Sequence, residues 1–139
     1  RWGLRIRYAM EGREHGGALE TAGGIVNALP LLQSDTFWVV GGDVFMPGFR
    51  FDPAHVTDFT AGGDLAHLWL VPNPPQHPRG DFGLDARSRV LACDHPAVIT
   101  RYTYSGLGLF QSSLVQGVQR GDKSALRPHL DAAIARNRL

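Results

Sequence analysis

Asp43 follows the apolar run Phe37-Trp38-Val39-Val40 after only two glycines, Gly41 and Gly42. A carboxylate beyond the carboxyl end of a buried strand sits where ligands gather in open α/β sheets. It can hold Mg²⁺, and small neighbours let phosphate groups come close. The same residues also suit an ordinary strand-end turn, because Gly-Asp is common turn chemistry. A second candidate is Glu20-Thr21-Ala22-Gly23-Gly24, a glycine-bearing helix start whose free backbone N–H groups can meet a base, ribose or phosphate. Its alternative is structural, the glycines allowing the helix to approach the sheet closely. Asn73 and Asp81, on a proline-rich loop, and Ser105-Gly106, within a late strand, are further candidates, although loop Asn and Asp commonly satisfy local backbone groups.

Other chemistries are excluded by spacing. The histidines at 15, 55, 67, 77, 95 and 129 lack the i, i+4 pairing of a helical zinc site. Cys93 stands beside Asp94 and His95, but adjacency in sequence does not make a catalytic dyad, and a structural thiol is the simpler reading. No Gly-x-Ser-x-Gly elbow is present.

The elements that must position these residues read as α/β. Leu4 to Tyr8 alternates like a strand, and Glu11 to Gly17 reads as a mobile polar loop. Thr21 to Leu32 places Ile25, Ala28, Leu29 and Leu32 at helical spacing, with Thr21 as N-cap. Phe37 to Val40 suits a strand buried on both faces, so strand, helix and buried strand predict a right-handed βαβ unit in a parallel sheet. Pro53 to Phe59 is a predicted helix and His67 to Val71 a strand leading into the loop Pro72 to Gly80, whose four prolines restrict it to a shaped wall. Phe82 to Leu84 and Val90 to Ala92 pair as a hairpin across Asp85 to Arg89. Arg101 to Phe110 is a long strand, and Lys123 to Arg138 is helical, with Leu126, Leu130 and Ala133 or Ile134 inward.

Bulk properties bound these readings. With 139 residues and 43% hydrophobic content, the chain is one domain with a real core. Fourteen Lys and Arg against 13 Asp and Glu leave no basic face, which argues against nucleic-acid or anionic-membrane partners. One cysteine allows no internal disulfide, and no apolar run reaches the roughly 18 residues of a membrane span. A reducing, cytoplasmic location is the expectation. A chain opening with Arg1 inside a strand-like pattern reads as a piece of something longer.

Order along the chain adds what single motifs do not. Leu-Glu-Thr-Ala-Gly-Gly-Ile at 19 to 25, Ala-Leu-Pro-Leu-Leu at 28 to 32 and Val-Val-Gly-Gly-Asp-Val-Phe at 39 to 45 resemble the sugar-1-phosphate nucleotidyltransferases. Leu70-Val71-Pro72-Asn73-Pro74-Pro75, Gly80-Asp81-Phe82 and Tyr104-Ser105-Gly106-Leu107-Gly108 continue the resemblance. The similarity is narrowest with the uridylyltransferase branch that acts on N-acetylmuramate 1-phosphate in cell-wall sugar recycling. It implies a Rossmann-like α/β fold, a mixed, mostly parallel sheet flanked by helices and incomplete at both ends. It also implies a reaction in which the phosphate of the sugar 1-phosphate attacks the α-phosphorus of UTP and pyrophosphate leaves. By the same resemblance Asp43 is a catalytic Mg²⁺ ligand and Glu20, Thr21, Ala22, Gly23 and Gly24 line the nucleotide. Asn73, Gly80, Asp81, Ser105 and Gly106 lie toward the sugar phosphate.

Two departures qualify the resemblance. Similar proteins often carry Asn where this chain has Gly41. They also have an N-terminal glycine-rich loop with Arg and Pro-Lys and a C-terminal acidic strand, and neither is found in these 139 residues. Losing such groups costs orders of magnitude in rate, since one electrostatic donor is worth roughly 10² to 10³. The isolated chain is therefore expected to be inactive. Two rival readings are a non-catalytic nucleotide- or sugar-binding remnant, distinguished by the coding sequence upstream, and a mannose-1-phosphate guanylyltransferase, distinguished by a substrate panel.

Overall fold

The computed structural model describes residues 3–139. Its helices are α1 (Glu11–Glu14), α2 (Glu20–Leu32), α3 (Pro53–Gly62) and α4 (Arg127–Ala135). Its strands are β1 (Thr36–Val40), β2 (Ala66–Val71), β3 (Phe82–Leu84), β4 (Val90–Leu91) and β5 (Thr100–Gln111), followed by a 3₁₀ turn at Ser112–Val115. The class is α/β, a five-stranded sheet with helices against it.

The long strand β5 organises the sheet. β1 pairs with it from Thr36↔Gln111 to Val40↔Leu107, and β2 from Ala66↔Phe110 to Val71↔Thr103. β3 pairs through Phe82↔Tyr102, and β4 joins β3 in the expected hairpin. Every pairing among the described residues is antiparallel, where the sequence pattern implied a mostly parallel sheet. The physical reason is the position of β5. β1 and β2 do run in the same direction, but the distant strand β5 is inserted between them, and apolar continuity along β1 does not fix the direction of its neighbour. Nor is β1 buried on both faces as expected, since only Phe37 is buried and Val40 is 45% exposed. The expected strand at Leu4 to Tyr8 is irregular, with Leu4, Ile6 and Tyr8 at 78%, 69% and 73% exposure. Alternation creates a strand only where another strand supplies hydrogen bonds, and none lies beside it among the described residues. The expected βαβ unit is therefore not formed there.

Period-two alternation sends Phe37 and Leu68 to one face and Trp38 and Trp69 to the other. The first face is the core. Ala22 and Ile25 of α2, Leu130 and Ala133 of α4, and Leu114 and Val115 of the 3₁₀ turn pack there with Phe37, Phe82 and fully buried Phe110. On the opposite face Trp38 meets Trp69, Phe51 and Phe49 at ring separations of 5.0, 5.1 and 5.8 Å, and α3 borders this cluster through His55. α3 begins with Asp52, which accepts from Ala54 N at 2.9 Å, has Pro53 in its first turn and stops at left-handed Gly63.

The segment expected to be a mobile loop, residues 11–17, is instead fastened. Glu11–Glu14 forms a helical turn, Glu11 Oε2 accepts from Leu19 N at 2.8 Å, and Glu14 pairs with Arg120 at 2.7 Å. Its polar composition supplies those anchors. α2 starts at Glu20 with no side-chain cap, so Thr21 lies inside the helix and is not its N-cap.

Candidate functional site

β1 ends by turning back on itself, Val44 N donating to Gly41 O at 3.2 Å, and Gly41 N donates across to Gly106 O on β5 at 2.8 Å. Gly106 lies in a bulge. Pairing with β2 jumps from Leu68↔Gly108 to Leu70↔Tyr104, leaving Ser105, Gly106 and Leu107 opposite Trp69. Only glycine suits this point, for its φ is +81° and a Cβ would lie 2.7 Å from Val44 Cγ2. The bulge frees the Leu107 amide, and Ser105 Oγ accepts from it at 3.3 Å. Ser105 thus satisfies its own strand. Bulges of this kind are common beside functional sites, where they re-aim the chain.

Above the two glycines opens a cleft of about 590 Å³, between the end of β1, β3, β5 and the start of α4. Four predicted residues share its wall, namely Glu20, Thr21, Asp81 and Gly106, together with Gly41. Val39, Phe82, Tyr104, Ala125, Leu126, Arg127 and Leu130 complete it. Burial pushes the Tyr104 phenol up to about 12, so the ring presents a neutral, apolar surface. The Arg127 guanidinium lies over the Phe82 ring at 4.8 Å and is held by Asp131 at 2.7 Å. The motif reading missed Tyr104 and Arg127 as site residues. The signal available for both was position: Tyr104 adjoins Ser105-Gly106, and Arg127 lies one residue after the predicted inward position Leu126.

The remaining predicted residues lie around this cleft, not in its wall. Asp43 is exposed in the turn beyond Gly41. Its Oδ1 stands 3.0 Å from where a Gly41 Cβ would be, so the missing side chain lets the carboxylate come close to Gly41, which is itself in the cleft wall. Ala22 and Gly23 are buried, and their amides donate to Ser124 O at 3.0 and 3.1 Å. Those N–H groups are therefore not free, contrary to expectation, because the chain before α4 folds back onto the helix start. A Cβ on Gly23 would lie 2.3 Å from Asp122 O, which makes its absence a packing requirement. A Cβ on Gly24 would lie 2.7 Å from Glu11 Oε1, the end of a flexible side chain, so packing constrains this glycine less than Gly23.

Asn73 is fully used in shaping the proline-rich loop. Its Nδ2 donates to Pro78 O and Arg101 O at 3.2 Å each, and its Oδ1 accepts from Thr103 Oγ1 at 2.9 Å. Gly80, at φ +64°, passes so close that a Cβ would be 2.6 Å from both Asn73 Oδ1 and Tyr102 O. Asp81 then locks the loop to β5, with Oδ2 accepting from Tyr104 N at 2.8 Å and Oδ1 lying 3.1 Å from His77 Nε2. Both Asp81 oxygens are occupied inside the chain. Among the described residues no group of three or more His, Cys, Asp or Glu converges as a metal site, and no helix is long and apolar enough to cross a membrane.

No family model matches the sequence. The chain is 39% identical over 141 aligned positions to an N-acetylmuramate alpha-1-phosphate uridylyltransferase from Neisseria meningitidis serogroup B. That alignment covers 99% of this chain and 58% of the relative, so the chain spans somewhat over half of the relative's length. Along almost all of its length, then, the chain is similar to that uridylyltransferase.

Proposed function

We propose that the protein carrying this chain transfers a uridylyl group from UTP to N-acetylmuramate 1-phosphate, as the relative's name states for that enzyme. A phosphate oxygen of the sugar 1-phosphate attacks the α-phosphorus, the bond to the β-phosphate oxygen breaks, and the products are a UDP-sugar and pyrophosphate. This chemistry depends on positioning and charge neutralisation more than on a protein nucleophile. The observation that carries the reading is the cleft, which gathers Glu20, Thr21, Gly41, Asp81 and Gly106 from four separate segments of the ordered match.

Mg²⁺ fits what the chain offers. Asp43 is a hard oxygen donor beside Gly41, exposed to water, and Mg²⁺ is commonly held by one or two carboxylates with waters and substrate phosphates completing its shell. Asp43 would hold the ion, which when bound neutralises charge on the phosphates. The glycines at 41 and 106 let phosphate groups approach the backbone. Glu20 and Thr21, at the start of α2, face the nucleotide, while Phe82 and Tyr104 form a dry wall that orients the sugar phosphate and limits water. The 139-residue chain by itself is expected to be inactive, since one carboxylate supplies a fraction of the charge control such a transfer needs.

The test is a substrate panel on the full-length protein. Pyrophosphate release should require Mg²⁺ and be fastest with UTP and N-acetylmuramate 1-phosphate. Preference for GTP with mannose 1-phosphate would move the protein to a guanylyltransferase reading, and tight UTP binding with no release under any pairing would make it a binding remnant.

A further inference from the structure

Asp81 and Arg127 stand in two clefts at once. On their far side lies a second space of about 490 Å³, with Arg79, Arg101, His77 and Asp94 in its walls. Its charged groups are not equally committed. Asp81 is engaged by Tyr104 N and His77, and Arg127 by Asp131 and by Asp81 O at 3.2 Å. Among the described residues Arg79 and Arg101 take part in no ion pair, and neither does Asp94. The backbone beneath the two arginines is fixed nonetheless. Arg101 sits opposite Gly83 in the sheet, its carbonyl held by Asn73, and Arg79 precedes the tightly packed Gly80.

Two uncommitted guanidiniums against one uncommitted carboxylate leave a surplus of one positive charge. That balance suits a monoanion better than a dianionic phosphate, and the planar guanidinium matches a carboxylate with paired donors. We infer that this second cleft takes the carboxylate of a sugar-acid substrate, with Arg79 and Arg101 setting the preference for it over a neutral sugar. The inference rests on the uridylyl-transfer reading. N-acetylmuramate 1-phosphate carries a carboxylate that N-acetylglucosamine 1-phosphate lacks, and the two share the 1-phosphate. The shared wall of Asp81 and Arg127 places this anion site directly beside the cleft assigned to the reacting groups.

The experiment measures kcat/KM of the full-length protein for both sugar phosphates with UTP, in the wild type and in Arg79→Ala, Arg101→Ala and Arg101→Lys. The wild type should favour the sugar acid, and each alanine variant should lower the acid-to-neutral ratio by about 10- to 100-fold, the range expected for hydrogen bonds to a charged group. Arg101→Lys should recover part of it as a point charge. A ratio that stays within twofold overturns the inference: if both rates fall together, the arginines serve the common phosphate, and if neither falls, they serve no ligand. Equal wild-type rates on both sugars overturn the inference alone, whereas no pyrophosphate from either sugar removes the uridylyl-transfer reading beneath it.

Discussion

The amide of Gly41 donates to the carbonyl of Gly106 at 2.8 Å, and this one bond joins the strand end that precedes Asp43 to the bulge that floors the candidate cleft. Neither glycine tolerates a side chain without displacing Val44. The geometry of the proposed phosphate approach therefore depends on two absent Cβ atoms.

Gly106→Ala should destabilise the fold by roughly 1–3 kcal/mol, combining a left-handed backbone with an overpacked contact. Urea denaturation measures this, and a change below about 0.5 kcal/mol would mean that the bulge relaxes freely. The same variant should lose turnover in the full-length protein, because its methyl group presses on Val44 and so disturbs the turn that carries Asp43.

Tyr104 predicts an alkaline effect. Its folded pKa is raised to about 12 against an ordinary value of 10, so between those values the unfolded chain gives up the proton first. Stability from this group is present below pH 10 and is lost as the pH rises toward 12. Tyr104→Phe should flatten that part of the stability curve. Phenolate absorbance of the folded wild type should show one tyrosine titrating later than the others, and three tyrosines titrating together near pH 10 would contradict the assignment.

Asp81→Ala should cost about 1–3 kcal/mol by stripping the acceptor from the part-buried Tyr104 amide, as lost partners of buried donors do. Asp81→Asn keeps an oxygen acceptor and should cost less. Equal losses from the two variants would show that charge, not the hydrogen bond to β5, is what matters.

Much of the site was legible because its elements are local. The α3 helix, the β3–β4 hairpin and the inward positions of α4 follow from periodicity and turn residues, and the run from Phe37 to Asp43 marks a strand end directly. What escaped is long-range. That β5 inserts between β1 and β2, or that Ser124 occupies the amides of Ala22 and Gly23, depends on contacts between residues far apart in sequence, which periodicity does not encode. Gly23 shows the ambiguity well: its pattern suited a ligand loop and close packing equally, and the Asp122 carbonyl beside it accounts for its lack of a side chain by packing.

The central claim is that Asp43 serves phosphoryl chemistry and not merely a turn. Asp43 is exposed, so Asp43→Asn should leave thermal stability unchanged. The most direct measurement is Mg²⁺-dependent pyrophosphate release from UTP and N-acetylmuramate 1-phosphate by the full-length protein with and without this substitution. The expected result is a fall in kcat of about 10²- to 10³-fold, the scale of losing one electrostatic contributor. A variant that works within threefold of the wild type would contradict the account.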